Sequence, residues 1–188
     1  MLKLRRTSVF AGIAVVLAAQ LAPLDDRFWT HMVQHLLIGD IGALLIVLGR
    51  PFRSRPFVAL PLWAVVVVGW HVTPLYDAAL DHVPVHLLQH ASFLVAGIGL
   101  WSVLLGPGLS TVGRLVCVAA MWLVALGLSQ VLLWSGHPYY AAYTLSDQRA
   151  GGGVMLVEGS FTMLGVVVWL LLRLFAETEV RQRALERG

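Results

Sequence analysis

Cysteine is almost absent: the chain of 188 residues has one, Cys117, inside an apolar run. Neither an intrachain disulfide nor a Cys-x-x-Cys metal or redox site can form, so any bound metal must be held by nitrogen, oxygen or thioether sulfur. Charge is scarce too, at 12% of residues against 59% hydrophobic, and several apolar stretches are long enough to cross a hydrocarbon layer of about 30 Å. The chain is an integral membrane protein. A net charge of +3 would raise the question of an anionic partner in a soluble chain. In a multispanning one the basic residues are first a topology signal, and nucleic acid is not implied.

The usual signatures of hydrolytic and phosphate chemistry are also missing. "EGSF" around Ser160 lacks the Gly-x-Ser-x-Gly elbow of a serine hydrolase, and His-Glu-x-x-His does not occur. "AGGGV" at 150–154 is not a phosphate loop. It opens an apolar segment, where small residues permit close helix packing.

What is present is an all-α pattern: six apolar segments at about 7–23, 28–49, 57–73, 84–105, 112–135 and 149–175, joined by short connections. This predicts a polytopic membrane helix bundle with six transmembrane helices, a single transmembrane domain over 1–188 whose residues from about 176 form a cytoplasmic tail. If the first segment leaves the cytoplasm, the inner side collects Lys3, Arg5, Arg6, Arg50, Arg53, Arg55, Arg114, Arg173, Arg181, Arg183 and Arg187. The outer side holds only Arg27 and Arg149, a strong positive-inside asymmetry. The first segment, "MLKLRR" leading to "LAAQLA", can also be read as a cleavable signal peptide, which would leave five spans in the same orientation.

All seven histidines then fall on the outer side, and four of them repeat a pattern. "HMVQH" at 31–35 and "HLLQH" at 86–90 each open an apolar segment that runs from outside to inside. Spacing of i, i+4 stacks both imidazoles of a pair on one helical face, and the two pairs match in depth, with His35 and His90 about 6 Å below His31 and His86. If the two helices are neighbours, four imidazoles converge on one or two ions. Imidazole nitrogen suits copper, zinc, iron or nickel. Gln34 and Gln89 lie beside the pairs, placed to fix a ring tautomer.

A single histidine near a helix end is ordinarily an interfacial residue or a satisfied core hydrogen-bonder, which covers His71, His82 and His137 taken singly; polar side chains inside a span are costly and tend to be functional, which favours a role for the pairs. Asp40 and Glu158 fall near mid-membrane and should face protein or water. Asp40, five residues past His35, is about 140° round an α-helix from it and so is placed off the histidine face. Met155 and Met32 lie in the outer half, where a thioether would favour Cu(I), although methionine at helical spacing is more often packing. Ser129 and Gln130 are candidates for supporting groups or interhelical glue.

Three stretches, "HMVQHLLIGDIGALLIVLGRP", "WHVTPLYDAALDHVPVHLLQHASFLVAGIGLW" and "DQRAGGGVML", resemble the multipass CtaG family of cytochrome c oxidase assembly factors over most of 28–160. The two His pairs and the "PLYDAAL" loop between them carry the likeness. It implies a non-enzymatic copper-binding protein of the bacterial plasma membrane, its metal site facing the periplasm or cell exterior. That protein would assist copper delivery to the catalytic subunit of a haem-copper oxidase. By position, His31, His35, His71, His86 and His90 match recurring family histidines, and Asp147 and Gln148 match a "DQ" before the last span. The expected copper ligands are His31, His35, His86 and His90, with His71, Met155 or Met32 as auxiliaries. Expected partners are the lipid membrane, the oxidase catalytic subunit and a periplasmic or extracytoplasmic copper donor, with a homo-oligomer allowed. Two other classes fit the histidines alone: a haem-binding electron carrier, and a metal-dependent membrane enzyme such as a zinc hydrolase or di-iron oxygenase.

Overall fold

The fold is that of a computed structural model, which describes residues 2–22, 24, 26–50 and 52–186. Arg187, one of the basic residues counted above, lies outside the described residues. Eight α-helices account for nearly all of the described chain: α1 (Leu2–Leu21), α2 (Phe28–Leu36), α3 (Ala43–Gly49), α4 (Pro56–Trp70), α5 (Thr73–Asp81), α6 (Val83–Leu105), α7 (Thr111–Trp134) and α8 (Leu145–Leu185). Five helical stretches are long and apolar enough to cross a membrane, and there are six if α4 and α5 together form one bent span. This is the polytopic helix bundle expected.

The second span is not a uniform α-helix. Between α2 and α3 the chain forms a π-helical segment, Leu37–Gly42, which widens the turn and resets the face presented below His35. Two glycine contacts let this segment sit deep in the bundle. A Cβ built on Gly97 of α6 would collide with the Gly39 backbone, and one built on Gly12 of α1 would come within 2.8 Å of the Gly42 carbonyl oxygen. Small residues here let backbones approach where a bilayer offers no hydrophobic drive between helices.

α4 is short for a span, 15 residues or about 22 Å. It breaks at His71, and α5 leaves at 73° to it. The "PLYDAAL" stretch expected as a loop is therefore most of a helix: Pro74 is pre-set for its first turn, and Tyr76 and Ala79 are buried. The last span is longer than its apolar segment. α8 runs 41 residues, about 61 Å, so it starts before Arg149 and carries the polar tail on as helix. Its N-terminus is capped by Thr144, whose hydroxyl accepts from the Asp147 N–H.

One end of the bundle gathers basic residues and the other gathers histidines. At the basic end the Arg114 guanidinium donates to the Gly106 carbonyl at 2.6 Å, and Thr111 donates to Glu177, which pairs with Arg173. At the histidine end α2 packs against α8, and further along the same span, toward the basic end, the π-helical segment and α3 pack against α6. The neighbour relation that the histidine repeat needed is present.

Candidate metal centre

The start of α2 is fixed from across the bundle. Asp147 Oδ2 accepts from the Phe28 N–H at 2.7 Å, capping α2 from the first turn of α8. Gln148, fully buried, accepts from the Tyr139 N–H and donates to the Leu132 carbonyl. The "DQ" pair thus ties the α7–α8 connection to the histidine helix. Gly151 packs against Phe28 and Met32, while Gly152 lies on the backbone of α7. The glycine run serves close packing, as its place in the sequence implied.

With α2 and α6 in register, the rings meet in rows. His31 and His86 have centroids 5.2 Å apart, His35 and His90 also 5.2 Å, and within the pairs the separations are 4.4 Å and 4.2 Å. One ring nitrogen from each of His31, His86 and His90 falls within 4.8 Å of the other two. An ion about 2.0–2.1 Å from each nitrogen asks for separations of roughly 3.3–3.6 Å. His31 is fully buried and His90 nearly so.

Hydrogen bonds at the outer edges engage one nitrogen of two of these rings. His90 Nδ1 donates to Gln20 Oε1 at 2.8 Å, and its Nε2 has no hydrogen-bond partner among the described residues. His31 Nδ1 lies 3.0 Å from the Tyr76 hydroxyl. In both rings Nδ1 is the nitrogen engaged at the outer edge. Gln89, also fully buried, lies against both His31 and His35. Gln34 does not do the same. Its amide donates to the Ala19 carbonyl at 2.8 Å, so it binds α2 to α1 instead of orienting an imidazole.

The remaining expected ligands lie one layer deeper. His35 stacks on Phe93 with centroids 4.4 Å apart, and its ring is 6.5 Å from that of His71. His71 closes α4, with Nδ1 2.7 Å from the Val67 carbonyl and Nε2 3.3 Å from Met32 Sδ. His35, His71, Met32 and Met155 all line a cavity of about 140 Å³ that extends down between the helices. Tyr140 secures the α4–α5 break by donating to the His71 carbonyl at 2.8 Å. Burial, then the nearby Asp77 charge, pushes the Tyr140 phenol up from its ordinary pKa and keeps it a donor.

Asp40 and Glu158 line the same cavity. The α-helical count put Asp40 off the histidine face, but the π-helical turn brings it back below His35. Its Oδ1 accepts from the Trp101 indole at 2.8 Å. Ser129 and Gln130 contribute nothing to the cluster: Ser129 donates to the Ala125 carbonyl and Gln130 accepts from Trp134, both within α7. His82 and His137 are exposed. Gln20 is the supporting residue that sequence reasoning missed, because "LAAQLA" reads as a hydrophobic leader and a distance of seventy positions hides its partner.

A family model described as cytochrome c oxidase caa3 assembly factor (Caa3_CtaG) matches residues 52–177. The chain belongs to this family. The CtaG match spans His71, His86, His90 and Met155, while His31 and His35 lie before it. Comparison with curated proteins and with solved structures gave no match. Membership in CtaG makes this membrane protein one of the assembly factors of cytochrome c oxidase.

Proposed function

We propose that the chain binds copper at the extracytoplasmic end of a bacterial plasma-membrane bundle and passes it to the catalytic subunit of a haem-copper oxidase during assembly. The observation that carries this reading is the convergence of His31, His86 and His90 from two neighbouring spans, with His31 and His90 buried and His86 half-buried. Imidazole is a good ligand for copper in either common oxidation state. The eleven-to-two distribution of basic residues supports an outward-facing site. An extracytoplasmic donor would then load the site, and the oxidase subunit would unload it.

The role is one of carriage without catalysis. A haem carrier is less well supported, since His31 stands against both His86 and His90, at 5.2 and 5.9 Å, and each ring has a second imidazole 4.2–4.4 Å away on its own helix, which crowds the space a porphyrin plane would need. Copper analysis of the purified protein, with an absorption spectrum on the same sample, tests the reading. Bound copper without a Soret band is expected, and it should be largely lost when His31 and His35 are both replaced by alanine. Copper bound equally by that variant would overturn the ligand assignment.

A further inference from the structure

His71 and Met32 face each other without a proton between them. The Val67 carbonyl can only accept, so the His71 Nδ1, 2.7 Å from it, carries the proton of the neutral ring. Nε2 then holds a lone pair, and it is aimed at Met32 Sδ, 3.3 Å away, a thioether with lone pairs and no hydrogen. A second proton on the ring would join the two atoms. It would also place an imidazolium within the bundle, where charge is expensive. A cation accepting electron density from both atoms relieves the contact without that cost. Nitrogen at about 2.0 Å and sulfur at about 2.3 Å from one tetrahedral ion are roughly 3.5 Å apart, close to the spacing found.

A third group stands beside them. His35 is 6% exposed, and among the described residues neither of its ring nitrogens has a partner at hydrogen-bonding distance, although Gln89 lies against the ring. A buried imidazole whose nitrogens are poorly met is costly unless something occupies one of them. Its ring lies between the two groups, 4.4 Å from His31 and 5.2 Å from His90 on one side and 6.5 Å from His71 on the other. Phe93 holds the plane of the ring from below.

We propose a second metal station, formed by His71 Nε2 and Met32 Sδ with His35 as the ligand shared with the triad, that selects Cu(I) over Cu(II). The inference rests on the copper reading of the triad and adds a chemically different site to it. Thioether sulfur is soft and favours Cu(I), whereas three imidazoles accept either valence. The station opens onto the cavity, where Met155 presents another thioether. An ion reaching the triad thus has an inner, softer place to move to, one ligand exchange away through His35.

The test uses the full chain in detergent, loaded anaerobically with Cu(I) or aerobically with Cu(II), desalted, and analysed for copper per chain and by X-ray absorption. About two Cu(I) but about one Cu(II) per chain are expected, with a sulfur scatterer in the Cu(I) sample alone. Met32→Leu, which conserves volume, should remove the sulfur scatterer, and Met32→Leu with His71→Asn should halve the Cu(I) load. Retained Cu(II) binding shows that those variants still fold. About one Cu(I) per parent chain with no sulfur, or a Cu(I) load and sulfur signal unchanged in the variants, would overturn the inner station and leave the triad standing. A parent chain that takes up neither valence would end both readings.

Discussion

His90 donates from Nδ1 to Oε1 of Gln20, 2.8 Å away across the α1–α6 boundary. A neutral ring bonded this way must present Nε2 as its lone pair, so a residue of the first helix sets the tautomer of a candidate ligand in the fourth apolar segment. Groups that orient metal-bound histidines are worth about 10- to 100-fold in affinity. Gln20→Ala should therefore weaken copper binding by about that factor, measured by competition against a chromophoric chelator, while Gln20→Glu, which keeps the acceptor, should restore most of it. Unchanged affinity in Gln20→Ala would mean that His90 does not coordinate through Nε2.

Asp40 and Trp101 make the corresponding pair deeper in the bundle. Replacing Asp40 with alanine strands the indole N–H, at a cost of about 1–3 kcal/mol. The thermal midpoint in detergent should fall for Asp40→Ala and stay near the parent for Asp40→Asn, whose amide oxygen still accepts. Equal midpoints for the two variants would show that the bond adds nothing.

Gly97 tests whether helix approach sets the site. A side chain there runs into the Gly39 backbone and pushes α6 off the π-helical segment, with overpacking costs of about 1–3 kcal/mol. Gly97→Val should lower both stability and copper load. Gly153, with open space around its Cβ position, should tolerate alanine without loss of either.

The response to pH follows from ligand chemistry. An imidazole coordinates only when neutral, and its unperturbed pKa is about 6.5, so binding is fully present above that range and is lost as protons compete below it. Copper affinity should fall on acidification, more steeply for Cu(II) on three imidazoles than for Cu(I) on a partly thioether station. Isothermal or competition titrations at several pH values would show it. A profile that stays flat until the protein itself unfolds in acid would argue that the histidines are structural.

Topology is checked by labelling. His82 is exposed at the junction of α5 and α6, so His82→Cys should react with an impermeant thiol reagent from the extracytoplasmic side, while buried Cys117 stays silent. Labelling of position 82 only from the cytoplasmic side would reverse the orientation of the whole site.

The histidine repeat was legible in the sequence because i, i+4 spacing is a property of the helix itself, and matched depth follows from two segments that start with the same pentapeptide. The spans were legible because a bilayer demands length and apolarity, which composition records directly. α5 was not, since nine residues of mixed polarity with a proline at the second position carry no periodic signal stronger than a loop's. The face of Asp40 was misjudged for a different reason. A count of 100° per residue holds only while every turn is an α-turn, and the π-helical segment breaks that assumption between His35 and Gly42.

By itself, then, the sequence determined the membrane class, the end of the bundle that carries the imidazoles and the donor types available, because these depend on local periodicity and composition. Only the tertiary structure decided which donors lie close enough to share an ion. It set His31, His86 and His90 together, placed His35 and His71 beside Met32 one layer below, and brought Gln20 to His90. Those pairings depend on which helices touch and how closely, and that was settled by the glycine contacts of Gly12, Gly39, Gly42 and Gly97 between distant parts of the chain.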